Sequence, residues 1–453
     1  MRTSPRRWNR PEQEYVALCG GAPRAAAGYL DAMTETLDLT PDERAALDWI
    51  ETHADGMIDR VKAWSRINSG SRNAEGLERM RGELEHSFSE IDGASIAAVD
   101  LPPSTAVTPG GQVIEQPYTP SFHCQVRPEA DIRIVLTGHH DTVFPADSHF
   151  QDVELWDEDT LNGPGVADMK GGILVMLNAL LALERHPSRE RIGYDVFISP
   201  DEEIGSLGSG PMIAHLGGRA DLGMTYEPAL ADGSLAGARK GSGNWSLLVR
   251  GRAAHAGREH HLGRNAIAAA SAFGVELDRL NGRREHVTFN LSRIDGGGPP
   301  NVVPDTAVAR FNVRVKEPND AIWVEAELER LVDELRVRDG IEVELHGGFT
   351  RPPKPMSPAN ARMFEWTRTA GTAIGLNIRW QDTGGVCEGN NLWAAGCPNV
   401  DTLGVRGADI HSDREIVKLS SFAERAKLSA VMLMKFATGA FDAREARALA
   451  RQN

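Results

Sequence analysis

The chain has 453 residues, 41% of them hydrophobic, and its 64 acidic against 49 basic side chains leave a net charge of −15. That length can bury more than one core, so two or three domains are expected. The acidic balance is spread along the chain and excludes electrostatic attraction to nucleic acid or an anionic membrane, but a local positive pocket could still hold an anionic small substrate.

Residues 1–11 are basic, but no continuous apolar stretch follows them, and no transmembrane span is legible, so a cytoplasmic protein is expected. Cys19, Cys124, Cys387 and Cys397 form no C-x-x-C pair and no disulfide framework, and read as free thiols. From Thr40, a capping box with Glu43, Pro41 at the first helical position, and Leu47, Ile50, Met57, Val61 and Trp64 at helical spacing predict one long amphipathic helix. Leu77, Met80, Leu84, Phe88 and Ile91 predict a second. Leu101 to Pro128, rich in Pro, Thr and Gly, reads as loop or irregular strand.

Beyond it come the apolar runs Ile132–Thr137 and Tyr194–Ser199 with a helical segment, Gly172–Glu184, between them. Strand, helix, strand in this order predicts parallel pairing, with ligands held at the carboxyl ends of the strands. From about 240 to 350 the pattern is strand (Trp245–Arg250), helix (Arg264–Leu280), strand (Val287 to Leu291), strand (Thr306–Val315), helix (Ala321–Val337) and strand (Ile341–Leu345). This is the ferredoxin-like order, expected as a domain inserted into the first. After Arg351-Pro-Pro-Lys-Pro the α/β texture returns and closes on a helix near Phe422–Phe436.

The chemistry-bearing residues follow strand ends or sit in glycine-rich turns. His139 and Asp141 in GHHDTV pair an imidazole with a carboxylate behind it, the usual support of a zinc ligand, although H-x-D alone equally describes a polar loop. Asp168 in GPGVADMKGG either caps the following helix or bridges two metals with its two oxygens. Glu202 and Glu203 repel one another unless positive charge lies between them, so the pair is either a surface acidic run or a ligand beside a free base. Glu227 follows the apolar Leu222–Tyr226, and His411 lies in a downstream loop. Together His139, Asp168, Glu203, Glu227 and His411 suit zinc, with cobalt or manganese as substitutes, in a site that keeps positions open; a structural zinc would call for cysteine.

In this order GHHDTV, GPGVADMKGG, DEEIGSLGS, EP and HSD resemble the co-catalytic zinc metallopeptidases and deacylases related to glutamate carboxypeptidase, acetylornithine deacetylase and succinyl-diaminopimelate desuccinylase. The resemblance runs from about Trp49 to Phe436. It implies an α/β fold in which a zinc-peptidase-like catalytic domain, with a central mixed and largely parallel sheet, carries an inserted ferredoxin-like α+β lid and dimerisation domain. The expected division is 1–238 as the first catalytic segment with an N-terminal helical extension, 239–351 as the inserted domain, and 352–453 as the second catalytic segment.

The resemblance also implies two zinc ions per chain. Asp168 would bridge them, with His139 and Glu227 completing one site and Glu203 and His411 the other. Glu202 would be the general base and Asp141 the residue that orients His139. His255 in GRAAHAG resembles a histidine that reaches the partner subunit's active site and stabilises the tetrahedral oxyanion, so a homodimer through the inserted domain is expected. Asn301 and Arg314 match substrate-contacting positions, the latter holding a carboxylate; Arg351 is a second, weaker anchor. Arg239 and Lys240 add positive charge near the hinge or stand at the surface. Thr383 to Asn391 departs from the pattern: where the carboxypeptidase branch has a glycine run followed by Thr/Ser-Asp, this chain reads TGGVCEGNN. The reading that follows is cleavage of the amide bond of a small peptide or N-acyl amino acid, with no nucleic-acid or membrane partner. The alternatives are an N-acyl-amino-acid deacylase and, more distantly, an inactive metal-binding scaffold dimer.

Overall fold

A computed structural model of the protein describes residues 37–452. The first forty residues, whose role the sequence leaves open, fall almost wholly outside that range, as does Cys19. Helices α1 (Pro41–Thr52), α2 (Ala54–Ser65) and α3 (Ala74–Phe88) come first, then β1 (Ser95–Val99), the pair β2 (Ser104–Val107) and β3 (Val113–Gln116), β4 (Ser121–Val126) and β5 (Ile132–His139). β6 (Glu154–Asp157), β7 (Thr160–Asn162), α4 (Lys170–Leu183), β8 (Ile192–Ser199), α5 (Gly210–Arg219), β9 (Leu222–Thr225) and β10 (Leu235–Arg239) follow. Next are β11 (Gly241–Arg250), α6 (Ala266–Asp278), β12 (Thr288–Gly296), β13 (Thr306–Val315), α7 (Pro318–Arg336) and β14 (Glu342–Arg351). The chain ends with α8 (Pro358–Ala373), β15 (Trp380–Thr383), α9 (Glu388–Ala394), β16 (Asn399–Val400), β17 (Gly407–Ala408), β18 (Ile416–Lys418), α10 (Ser421–Thr438) and α11 (Ala443–Ala450).

The central sheet runs β1-β4-β8-β5-β9-β16. β8, β5, β9 and the edge strand β16 pair in parallel, while β1 and β4 are antiparallel, so the sheet is mixed. β5 and β8 are buried almost throughout, as strands covered on both faces must be. Helices α4 and α10 pack on one face, and the apolar α4, fully buried, forms the middle of that core.

The second sheet, β12-β13-β11-β14, is wholly antiparallel and has the strand order of the ferredoxin-like fold. Trp245, Leu247, Val249, Phe311 and Val313 alternate toward α6 and α7 and make a separate core. No helix among the described residues is long and apolar enough to cross a membrane.

Two local expectations change. The long helix predicted from Thr40 breaks at His53 into α1 and α2. There the Thr52 hydroxyl bonds the Trp49 carbonyl at 2.8 Å and His53 Nδ1 lies at the same distance, so side chains compete for an acceptor of the helical ladder. The Leu101–Pro128 stretch is also more ordered than its composition suggests: it supplies the β2–β3 hairpin and β4, which fills a place in the central sheet. Cys124, Cys387 and Cys397 are free and buried.

Candidate metal centre and cavity

The carboxyl ends of β5, β8 and β9 converge, and each delivers polar side chains. β5 ends on His139, β8 runs into the 3₁₀ turn Glu202–Ile204, and β9 leads to Glu227. Burial fixes these groups in place: His139 and Asp141 are at most 1% exposed, and Asp168 is 5% exposed.

Asp168 stands between two imidazoles. Its Oδ1 is 3.2 Å from His139 Nε2 and its Oδ2 is 3.1 Å from His411 Nε2. On the outer sides, Glu227 lies 3.9 Å from His139 Nε2 and Glu203 lies 3.2 Å from His411 Nε2. His139, Asp168 and Glu203 can offer ligand atoms within 4.8 Å of one another, as can His139, Glu202 and Glu227. The residues fit metal ions on a further count: Glu203 Oε1 is buried with no hydrogen-bond partner, a costly state that a cation would relieve.

The protonation pattern has the same cause. Burial first, then the Asp168 charge, raises Glu203 to about 8. Burial likewise raises Glu227 to about 7, with Asp168 and Glu202 adding to it. Hydrogen bonds to Asp168 and Glu203 raise His411 to about 11. Burial pushes Asp168 upward, but the bonds from His139 and His411 outweigh it and hold it below the usual carboxylate range. Without cations, protons neutralise the crowded acids. His140 beside them is buried and lowered to about 3, hence neutral.

Asp141 organises this end of the site. It faces His139 Nδ1 at 3.3 Å through Oδ1 and at 3.0 Å through its carbonyl. The same carboxylate accepts the backbone N–H of Glu202 at 3.1 Å and of Glu203 at 3.2 Å, so one side chain orients the imidazole and holds the turn bearing both glutamates. Ser71 donates to its Oδ2 at 2.7 Å, a contact across 70 residues with no signal in the sequence. Glu415 is likewise unheralded, apart from lying four residues past His411 in HSDRE. Its carboxylate accepts from the N–H groups of Gly165 at 3.2 Å and of Ala167 and Asp168 at 3.0 Å each, and so fixes the turn that presents Asp168.

The cluster opens into a cavity of about 540 Å³. Besides the acids it is lined by Arg239, Arg314 and Arg351, with Ser242, Asn244 and the Gly385–Val386 loop. The three arginines differ. Arg351 is buried and engages Glu202 at 2.5 Å, with Asn391 accepting from its other arm at 2.8 Å. Arg239 is clamped by Asp401 at 2.8 and 3.1 Å, and Lys354 shares that carboxylate at 2.7 Å. Arg314 bonds only the Asn312 side chain at 3.0 Å and makes no ion pair among the described residues; burial lowers its pKa.

The departing loop enters through α9. Glu388 is fully buried and accepts from Ser199 and Ser206, so it ties both flanks of the Glu202–Glu203 turn; burial raises it to about 8 against the opposing pull of Arg351. Cys387 lies against Asp401 at 3.5 Å, behind the cavity wall. His255 and Asn301 are brought to each other, with Ala256 N–H donating to the Asn301 carbonyl at 2.9 Å, but both are exposed and neither lines the cavity.

A family model described as Peptidase family M20/M25/M40 matches residues 135–435. Over 389 residues the chain is 25% identical to carboxypeptidase G2 of Pseudomonas sp. (strain RS-16), covering 84% of this chain and 90% of that protein. Over 317 residues it is 30% identical to succinyl-diaminopimelate desuccinylase of Bordetella parapertussis, covering 64% of this chain and 79% of that protein. Among solved structures, di-peptidase Dug1p from Saccharomyces cerevisiae superposes with a TM-score of 0.65 at 14% identity, covering 87% of this chain and 98% of that one. The metallo-carboxypeptidase Sso-CP2 from Sulfolobus solfataricus gives 0.63 at 16%, covering 84% and 99%. The structural likenesses speak for the fold; the family match spans more than half of the chain and takes in every residue of the cluster, so the chain belongs to peptidase family M20/M25/M40 and is a metal-dependent hydrolase of amide bonds.

Proposed function

We propose that this hydrolase binds two zinc ions, replaceable by cobalt or manganese, and releases a carboxylate-bearing amino acid from a small peptide or N-acyl precursor. The observation that carries the reading is the placement of Asp168, whose two oxygens face different histidines, each backed by its own glutamate. Asp168 would bridge the ions, His139 and Glu227 would hold one, and Glu203 and His411 the other. When bound, such a pair supplies an acidified water and polarises the scissile carbonyl.

The chain's own residues do the rest. Glu202 takes the proton of the attacking water and returns it to the departing nitrogen. Arg351 and the backbone bond to Asp141 hold Glu202 in place. Arg314, which pairs with no carboxylate among the described residues, receives one from the substrate, for which a guanidinium fork is suited. His255 and Asn301 act from the partner of a homodimer formed through the inserted domain, residues 239–351, between catalytic segments 1–238 and 352–453; that neither lines the cavity of its own chain supports this reading.

The likeness to carboxypeptidase G2 favours a carboxypeptidase, and the likeness to succinyl-diaminopimelate desuccinylase supports a second reading, a deacylase that recognises the acyl group. The buried free thiols support a cytoplasmic enzyme. The test is a panel of N-acyl amino acids and dipeptides, given to zinc- and cobalt-loaded protein and scored by mass spectrometry. Release of one amino acid from varied acyl partners establishes the carboxypeptidase, release of one acyl group from varied amino acids the deacylase. No turnover of any member by fully loaded protein overturns both.

A further inference from the structure

The face of the inserted sheet turned away from α6 and α7 is divided in two. On β11 that face carries Ser242, Asn244, Ser246 and Leu248, and on β13 it carries Val308, Arg310, Asn312 and Arg314, the partners opposite them in register. Its lower end, with Ser242, Asn244 and Arg314, lines the cavity. Its upper end is covered by the β2–β3 hairpin, from the stretch whose composition reads as loop or irregular strand. Val107 packs on Leu248 and Val308 in a small apolar cluster of its own. Arg310 donates to the Val107 carbonyl at 2.6 Å and Arg250 to the Gly111 carbonyl at 2.9 Å. Gly111, in the turn with φ +75°, lies so close to Thr306 and Leu248 that an added Cβ would stand 2.7 and 2.9 Å from them. This is a fitted contact.

The hairpin's base is fixed to the other wall. Ser104 and Tyr118 close it with a 2.6 Å hydroxyl bond. The Tyr118 ring packs on Gly208, where a Cβ would stand 2.6 Å from the ring, and the Gly208 N–H donates to Asp201 Oδ2 at 2.7 Å. Asp201 and Gly208 bracket the segment bearing Glu202 and Glu203. One end of the hairpin therefore rests on the catalytic segment, while the other holds β13 at Arg310, four residues or ~13 Å along the strand from Arg314.

We propose that the β2–β3 hairpin is a positioning element that sets the reach from Arg314 to the Glu202–Glu203 segment, and with it the length of substrate the cavity accepts. The inference rests on the reading of Arg314 as the carboxylate anchor. Without the brace the inserted sheet gains freedom to tilt, and the carboxylate anchor no longer stands at one distance from the reacting carbonyl. Binding weakens first, because Arg314 acts at a distance from the bond cleaved, whereas Glu202 and the acid cluster stay on the central sheet.

The test replaces Ala106–Ile114 with Asn-Gly, which keeps the Ser104–Tyr118 closure, and uses Val107→Ser as a milder second variant. Metal content, kcat and KM are measured on the best amide of the substrate panel. Spin labels at Glu329→Cys on α7 and His215→Cys on α5, both exposed, in a Cys19→Ser background, report the distance between the two layers. The expected result is a broadened distance distribution and KM raised by about tenfold or more, with kcat within about threefold and metal content unchanged. Val107→Ser shifts both in the same direction by less. An unchanged distribution with unchanged KM overturns the proposal, even if thermal stability falls, because a merely structural hairpin would lower stability alone. If the wild-type chain turns over no amide, the amide reading fails on its own account and the label distances still decide the brace.

Discussion

The cavity wall at the ends of β5, β8 and β9 gathers Asp168, Glu202, Glu203 and Glu227, while the rest of the wall carries Arg239, Arg314 and Arg351. The loops that bear Asp168, Glu202 and Glu203 are tied down by Asp141, Glu415 and Glu388, through bonds from backbone or serine. Of the arginines, two are spent on internal carboxylates and one is left open. The acid wall is built to be rigid and complete once charged by cations. On the proposed reading, the arginine wall is completed by the substrate's carboxylate at Arg314. Chemistry should therefore fail in all-or-none fashion when the first is cut, and selectively when the second is cut.

The largest effect should come from Glu202→Gln. A lost general base costs ~10²–10⁴ in kcat, and metal content by mass spectrometry should stay at the wild-type value if Glu202 is a base. Because Glu202 can also offer an oxygen beside His139 and Glu227, loss of one ion in this variant would make it a ligand instead. His255→Ala should follow, with kcat down by ~10²–10³ if it donates to the oxyanion. Mixing it with Glu202→Gln separates cis from trans: heterodimers that regain part of the activity place His255 in the partner's cavity. Verified heterodimers that stay inactive return it to its own chain or to no role.

Arg314→Met should leave kcat nearly intact and raise KM for carboxylate-bearing substrates by ~10- to 150-fold, the worth of about 1.5–3 kcal/mol for a hydrogen bond to a charged group. Substrates in which the carboxylate is amidated should be unaffected by the substitution. If acid and amide lose equally, Arg314 shapes the cavity without reading charge, and the contrast between the walls loses its second half.

The sequence disclosed one wall better than the other for a physical reason. His139, Asp168, Glu202, Glu203 and Glu227 stand at strand ends or in a glycine-rich turn, where local pattern already says that side chains emerge together. What holds them is invisible in the chain: Ser71 meets Asp141 across 70 residues and Arg351 meets Glu202 across 149. The FTRPPKP resemblance alone suggests Arg351 as a substrate anchor, and nothing in that local setting announces the Glu202 carboxylate that it meets. In the same way, the pairing of Arg239 with Asp401 decides which cationic groups remain free, and it forms only when β10 and the segment after β16 come together. The β2–β3 hairpin was obscured by its Pro and Gly, which mark turns but not what the turns rest upon.

The smallest effect, a shift in melting temperature of a few degrees, tests whether the acid wall waits for charge. In the metal-free protein, Glu203 rises from 4.5 to about 8 and Glu227 from 4.5 to about 7, burial being the main cause of each, while His411 rises from 6.5 to about 11 through its bonds to Asp168 and Glu203. Each of these groups holds its proton more tightly folded than unfolded, so the native state binds more protons and stability falls as pH rises. For the glutamates the loss begins above pH about 4.5 and is complete near 8; for His411 it begins near 6.5 and extends to about 11. Shifted the other way are Asp168, whose window lies below pH 4, His140, lowered by burial to about 3, and Lys170, lowered by burial to about 7. The last two add stability as pH rises, His140 up to 6.5 and Lys170 above about 7, and each offsets only part of the loss from the two glutamates and His411. The apo protein should therefore melt at steadily lower temperature between pH 5 and 8. Metal-loaded protein should not, because cations replace the protons, and loading should release protons that calorimetry in buffers of different ionisation enthalpy can count. An apo protein whose stability is flat or rises across this range would mean that the acid wall does not hold protons in place of cations.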